Sequence, residues 1–153
     1  MLLGAMYAGQ AFANAPVGAV HALAYPLGSV YHIPHGLSNS LVLPHVLRFN
    51  APAAESMYQE LLPIVLGPGG AQSTAITQAS ATTQTSSAAE RLASHCLALA
   101  GELGLPTRLR ELDIPRSDLP RLARESMLQQ RLLINNPRPV TEADALVLYE
   151  QAY

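Results

Sequence analysis

Three of the chain's five histidines fall between His21 and Gly36, in the run HALAYPLGSVYHIPHG. His21 stands among Ala19, Val20, Ala22 and Leu23. An imidazole in such apolar company must find a partner for its ring nitrogens, or burying it costs free energy. A hydrogen bond to backbone or side chain is the common solution, and a metal ion is the alternative that does chemistry. His35 comes fourteen positions later, between Pro34, which fixes the entry into a helix, and Gly36, which leaves room. Two imidazoles on successive helices, joined by a constrained loop, can converge on one cation, yet two nitrogens leave the shell of a first-row metal incomplete. His32, in the loop, is either a third ligand or a solvated side chain. His45, behind Pro44, and His95, far along the chain, read as structural.

The elements that must position these rings all read as helices. Met1 to Ala13 is an Ala-rich helix whose small residues Gly4, Ala5, Ala8 and Gly9 permit close approach of a neighbour, so it is expected deep in the domain. Asn14 and Pro16 form a start signal for a second helix, running to about Ala24 before Pro26 and Gly28 strain or end it. Ser29 to Pro34 is a connection. A third helix begins near His35 or Gly36 and is mostly buried as far as Phe49, with a kink expected at Pro44. Pro52 to Leu66 forms another helix, stopped by Pro68, Gly69 and Gly70. The polar stretch from Gly70 to Ser87 reads as polar helix, loop or partly mobile chain.

Helical spacing returns from Ala88 to Leu103, with Gly104 as a stop. Leu105 to Arg116 is a connection, and Ser117 to Leu133 a helix with Ser117 as cap. Thr141 and Asp144 make an acidic capping box before the last helix, Ala145 to Tyr153. No strand alternation or internal repeat is visible, so the fold class is all-α, in one helical domain over residues 1–153.

Composition narrows the function classes. Hydrophobic residues make up 49% of the chain against 13% charged, which predicts an apolar surface covered by a partner. The net charge is −2 and the nine arginines form no continuous basic run, which argues against nucleic acid as a partner. The apolar opening lacks a basic start and is interrupted by Gly4, Gly9, Gln10, Asn14 and Pro16, so neither a signal peptide nor a membrane span is expected. Cys96 is the lone cysteine, so neither an internal disulfide nor a cysteine-based zinc framework can form, and a cytoplasmic setting fits.

The run Gly18-x-x-His21-x-x-Ala24-x-x-x-Gly28, then Pro34-His35-Gly36 and Leu43-Pro44-His45-Val46, resembles the metal-site signature of the iron-containing (group III) alcohol dehydrogenases. The resemblance continues through LGLPTRLRELDIPRSDLPRLA into NPRPVTEADALVLYEQAY. It implies the C-terminal helical, metal-binding domain of the dehydroquinate synthase-like fold, without the N-terminal α/β domain that binds NAD or NADP through a glycine-rich turn. It further implies that His21 and His35 are two of four protein ligands to Fe²⁺, or alternatively Zn²⁺. The other two, an Asp and a His one helical turn apart, would lie on a helix preceding Met1. Where many members carry a histidine four residues after the first ligand, this chain has Tyr25. Its phenol, with an unperturbed pKa near ~10, is a poor proton shuttle at neutrality, so Tyr25 is given a place in the substrate and cofactor pocket and no general-base role.

By the same resemblance the whole enzyme transfers hydride between a small alcohol or aldehyde and the nicotinamide, while this chain is incomplete alone. Its partner would be the missing half. The competing expectation is a stand-alone structural or oligomerising module that keeps the fold, associating through its apolar surface.

Overall fold

A computed structural model describes residues 2–70 and 86–153. Among these residues every regular element is a helix: α1 (Leu2–Asn14), α2 (Ala19–Tyr31), α3 (His35–Gly70), α4 (Ala88–Glu102), α5 (Leu119–Ser126), α6 (Gln130–Leu133) and α7 (Glu142–Ala152), with 3-10 turns at Leu109–Leu112 and Arg116–Asp118. None of them is long and apolar enough to cross a membrane. The polar stretch read as loop or helix falls, from residue 71 to 85, outside the described residues.

The main core forms where α2 packs on α3, α5 and α6, and α7 closes over α3 and α5. Ala22, Leu23 and Leu27 of α2 are wholly buried, together with Leu122 of α5 and Ala145, Tyr149 and Ala152 of α7. Alanine at these contacts lets the helix axes approach, and the leucines fill the space between them. A second apolar cluster joins Ala54, Tyr58 and Leu62 of α3 to Ala88, Ala89 and Leu92 of α4. Charge reinforces that contact. Arg48 Nε and Nη2 donate to the two oxygens of Glu90 at 2.7 and 2.8 Å, a forked pair that holds the Glu90 carboxyl down to about 2. The Glu55 carboxylate meanwhile accepts from the first amides of α4, Ala88 and Ala89.

Several expectations are corrected. The helix α1 exists, but it is not deep in the domain: all its residues are exposed, including Leu2, Leu3, Met6, Tyr7 and Phe12. Small residues permit close approach but do not create a neighbour, and no described element comes near enough to bury any part of α1. Asn14 does not start α2. Its Nδ2 donates back to the Gln10 carbonyl at 2.8 Å, closing α1, and α2 begins only at Ala19. Nor does Pro26 end α2, which runs on to Tyr31. The missing amide removes one helix bond, while Pro26 itself is buried and packed. Helical torsions likewise continue from Phe49 through Pro52, merging two expected helices into α3, whose one non-helical residue is Gly67 at φ 72°. In the expected helix from Ser117 to Leu133, Ser117 is no cap, and the run breaks at Met127–Gln129 into α5 and α6.

Other local signals work as expected. Gly104 adopts φ +68° after α4, and the Leu105 amide returns to the Ala100 carbonyl at 2.9 Å. Thr141 and Asp144 form the reciprocal capping box of α7.

The start of α2 is held from far along the chain. Asn136 Oδ1 accepts from the Ala19 amide at 3.3 Å and from Asn50 Nδ2 at 3.0 Å, while its Nδ2 donates to Asn50 Oδ1 at 2.8 Å and to the Arg138 carbonyl at 2.6 Å. Gly18 lets Asn136 come close, since a Cβ there would lie 3.2 Å from Asn136 Oδ1 and 3.3 Å from its Cα and would push the amide back by a few tenths of an ångström. One turn farther along the same helix the Tyr149 hydroxyl donates to the Leu23 carbonyl at 2.6 Å. Asn136→Ala therefore leaves both polar groups of Asn50, which is 4% exposed, without their amide partner. A loss of about 3 kcal/mol in urea unfolding is expected, and a change below about 0.5 kcal/mol would show that this junction is not what anchors α2.

Candidate metal centre

His21 lies on the first turn of α2 and His35 is the first residue of α3. What brings them together is the way α2 ends. His32 takes the left-handed conformation, φ 56° and ψ 26°, and its amide returns to the Gly28 carbonyl at 3.0 Å, with the Ile33 amide reaching Leu27 at 3.4 Å. Histidine tolerates this region better than most residues that carry a Cβ. Ile33 is then buried, and Pro34 lends its carbonyl to the Ser38 amide at 2.9 Å, starting α3. The chain thus reverses within three residues, and α3 is laid against α2. His32 itself is exposed and serves as the cap.

The His21 and His35 ring centroids stand 5.1 Å apart, tilted at 59°. The Tyr25 ring, one turn after His21, lies 6.0 Å from His35 at 40°. The structure therefore brings together all three side chains singled out in the sequence. His21 is partly buried and its pKa is lowered, first by burial and then by the neighbouring His35. A charge on the His35 ring at this distance disfavours a proton on His21. Asn39, one turn after His35 on α3, pairs through Nδ2 with His35 Nε2 at 3.1 Å, and its Oδ1 is shielded from solvent with no partner.

Two imidazoles sharing a tetrahedral first-row cation through nitrogens ~2.1 Å away have centroids roughly 5 Å apart. The observed spacing fits that arrangement, and it also lies within the ~4.5–7 Å range of ordinary ring contacts. Nitrogen donors of this kind suit iron or zinc. Among the described residues no third His, Cys, Asp or Glu joins them, so this chain presents a pair of donors and not a closed shell. No formally charged side chain precedes Arg48 in the sequence.

Beside the rings, Tyr25 is 36% exposed and borders an open cavity of about 490 Å³ lined also by Pro26, Ser29, Glu125, Leu128 and Gln129. Asn39 was missed by sequence reading, although its spacing of four from His35 on a helix puts both on one face and could have revealed it. Asn136 carried no local signal at all. The histidines read as structural behave differently from the pair: His95 sits half-buried on α4, and His45 is 8% exposed, its Nε2 shielded and without a partner.

Over residues 1–153 the sequence matches the C-terminal part of the Fe-containing alcohol dehydrogenase family. It is 36% identical over its whole length to long-chain-alcohol dehydrogenase 1 of Geobacillus thermodenitrificans, covering 36% of that protein. Lactaldehyde reductase of Escherichia coli K12 is 32% identical, again over all of this chain and 37% of the relative. Among solved structures, an alcohol dehydrogenase from Oenococcus oeni superposes with a TM-score of 0.79 at 29% identity, over 97% of this chain and 36% of the other. The chain therefore spans about a third of the length of the relatives it matches.

Burial first, and then the charges of Arg48 and Arg108, push the His45 pKa from 6.5 down to about 4. Between those two values the unfolded chain binds the proton that the folded chain refuses, so stability is lost as pH falls through this window and is unaffected by His45 above it. Urea midpoints measured from pH 7 to pH 4 should fall more steeply for the native sequence than for His45→Gln. Parallel profiles would mean that the ring is hydrated in the folded state.

Proposed function

The chain belongs to the Fe-containing alcohol dehydrogenase family and corresponds to its C-terminal domain, and from that premise we propose that it supplies half of a catalytic metal site to an NAD(P)-linked alcohol dehydrogenase. The observation that carries this reading is the convergence of His21 and His35, from two different helices, to a ring separation of 5.1 Å. In this role His21 and His35 each give a neutral ring nitrogen to Fe²⁺, with Zn²⁺ as the alternative, and an upstream helix outside residues 1–153 gives the remaining ligands.

An ion held by His21 and His35 would supply Lewis acidity toward an alcohol oxygen, the chemistry that favours hydride transfer to a nicotinamide. The chain's own residues do the rest of the work on this side. The lowered pKa of His21 keeps its lone pair free of a proton near neutrality. The Asn39 amide restrains the His35 ring on the face of α3. Tyr25 stands between His35 and the open cavity, where its ring bounds the space for substrate and nicotinamide and its hydroxyl can donate a hydrogen bond. A small alcohol or aldehyde is the substrate class, in keeping with relatives named as lactaldehyde reductase and 1,3-propanediol dehydrogenase. The nucleotide is NAD or NADP, held by the domain that the relatives carry beyond this length.

The uncovered apolar surface of α1 favours a second reading, a structural module that associates through this helix. Two measurements separate the readings. In the first, Co²⁺ is titrated into the chain while the imidazole resonances are followed. His21 and His35 should respond together, and His21→Ala or His35→Ala should each weaken binding tenfold or more. Undiminished binding by both variants would remove the metal assignment, and a stable oligomer by light scattering with no metal response would favour the module. In the second, the chain is joined to a family nucleotide-binding half and assayed for NAD(P)-dependent alcohol oxidation. Turnover is expected in the joined protein, with a loss of a hundredfold or more on His21→Ala.

A further inference from the structure

The helix that presents His35 also carries the group that decides which ring nitrogen of His35 holds the proton. A neutral imidazole has one N–H and one lone pair, and a hydrogen bond at either nitrogen selects between the two tautomers. Asn39 stands four residues after His35 on α3, so both side chains share one face of the helix. Its Nδ2 lies 3.1 Å from His35 Nε2. An amide nitrogen can only donate, so Nε2 accepts and the proton of the ring is left on Nδ1.

The other half of the amide supports that orientation. Asn39 Oδ1 is shielded from solvent and has no partner. Turning the amide over would set both N–H groups in that shielded position and lay Oδ1 against the ring. A shielded acceptor without a partner is the commoner case in folded proteins, and a shielded donor without one the rarer. The His35 side chain is itself exposed, so a proton on Nδ1 has water to meet.

We infer that Asn39 is a positioning residue that holds Nε2 of His35 free of a proton, so that a cation arriving at this nitrogen meets a lone pair. The purpose of the arrangement rests on the metal role proposed for His35, whereas the tautomer exists in the metal-free chain and is read there. Displacing an amide N–H from Nε2 frees the lone pair without moving any proton of the ring. From the opposite tautomer, the proton on Nε2 would first have to pass to Nδ1. A histidine bound to a metal usually has its tautomer fixed by a partner on its second nitrogen. Asn39 acts instead on the coordinating nitrogen, before the ion arrives.

The test follows the ring nitrogens of the metal-free 153-residue chain by nitrogen NMR at about pH 9, well above the ordinary imidazole range. In the native chain His35 should carry its proton on Nδ1. Asn39→Asp keeps the shape of the side chain and replaces the donor by an acceptor, so it should invert the tautomer ratio and place the proton on Nε2. Asn39→Leu offers neither, and should shift the ratio at least threefold toward the Nε2–H form that a free histidine side chain prefers. His95, on α4, should keep its tautomer in both variants, and far-UV circular dichroism checks that each stays folded. A native His35 protonated on Nε2, or a ratio indifferent to Asn39→Asp, overturns the inference. Zn²⁺ is then added to the native chain. Coordination through Nε2 with the proton still on Nδ1 supports the positioning role, and coordination through Nδ1 overturns it. A His35 ring that answers to Asn39→Asp and yet ignores Zn²⁺ would sink the metal reading of the site and leave the control of the tautomer standing.

Discussion

The placement of α2 is the constraint on which the rest depends. This helix has no charge and little polar surface of its own, and three distant contacts hold it. Asn136 meets its first amide, the Tyr149 hydroxyl meets the carbonyl of Leu23, and the left-handed turn at His32 returns the chain into α3. Apolar burial of Ala22, Leu23 and Leu27 supplies the driving force, but burial is not directional and would tolerate a small rotation or slide. The hydrogen bonds to Ala19 and Leu23, with the turn at His32, fix the rotation and the register. A rotation of α2 by one residue, about 100°, would carry His21 away from His35.

The family relationship gives these contacts a reason. A donor pair drawn from two helices is only as well defined as the angle between them, and the short, stiff connection from His32 to Pro34 leaves that angle little freedom. The Arg48–Glu90 fork and the Glu55 carboxylate at the start of α4 do similar work farther along α3, where the apolar contact is a smaller cluster of alanines, Tyr58 and two leucines. Precision near the rings thus comes from backbone turns and amide caps, and precision elsewhere from charge.

Much of this was legible in the sequence, for reasons that differ by element. The all-helical class, the entry of α3 at His35, the Gly104 stop and the Thr141 box all rest on local chemistry, and local chemistry is what a sequence displays. The His21, Tyr25 and His35 grouping was legible through spacing and family resemblance. The failures share a cause. Pro26 read as a strain or stop because proline is costly in an isolated helix, yet tertiary packing around this buried proline outweighs one missing hydrogen bond. Asn14 looked like a cap because its type is right, whereas the residue that caps α2, Asn136, is 117 positions away and invisible to any local rule. The opening helix was recognised as a helix and misjudged in depth, since its apolar residues specify a need for cover without naming the element that meets it.

The absence of charged side chains before Arg48 has a consequence for the pair of imidazoles. Neutral rings donate electron density but cancel no formal charge, and neither α1 nor α2 carries a carboxylate that could do so. A divalent ion reached by these two rings would therefore have none of its formal charge cancelled by α1 or α2. Glu125, on the cavity beside Tyr25, is already paired with Arg121, so compensation would have to arrive with whatever completes the shell, or with an oxygen of the substrate as it loses its proton. Electroneutrality on this face is thus delegated to visitors.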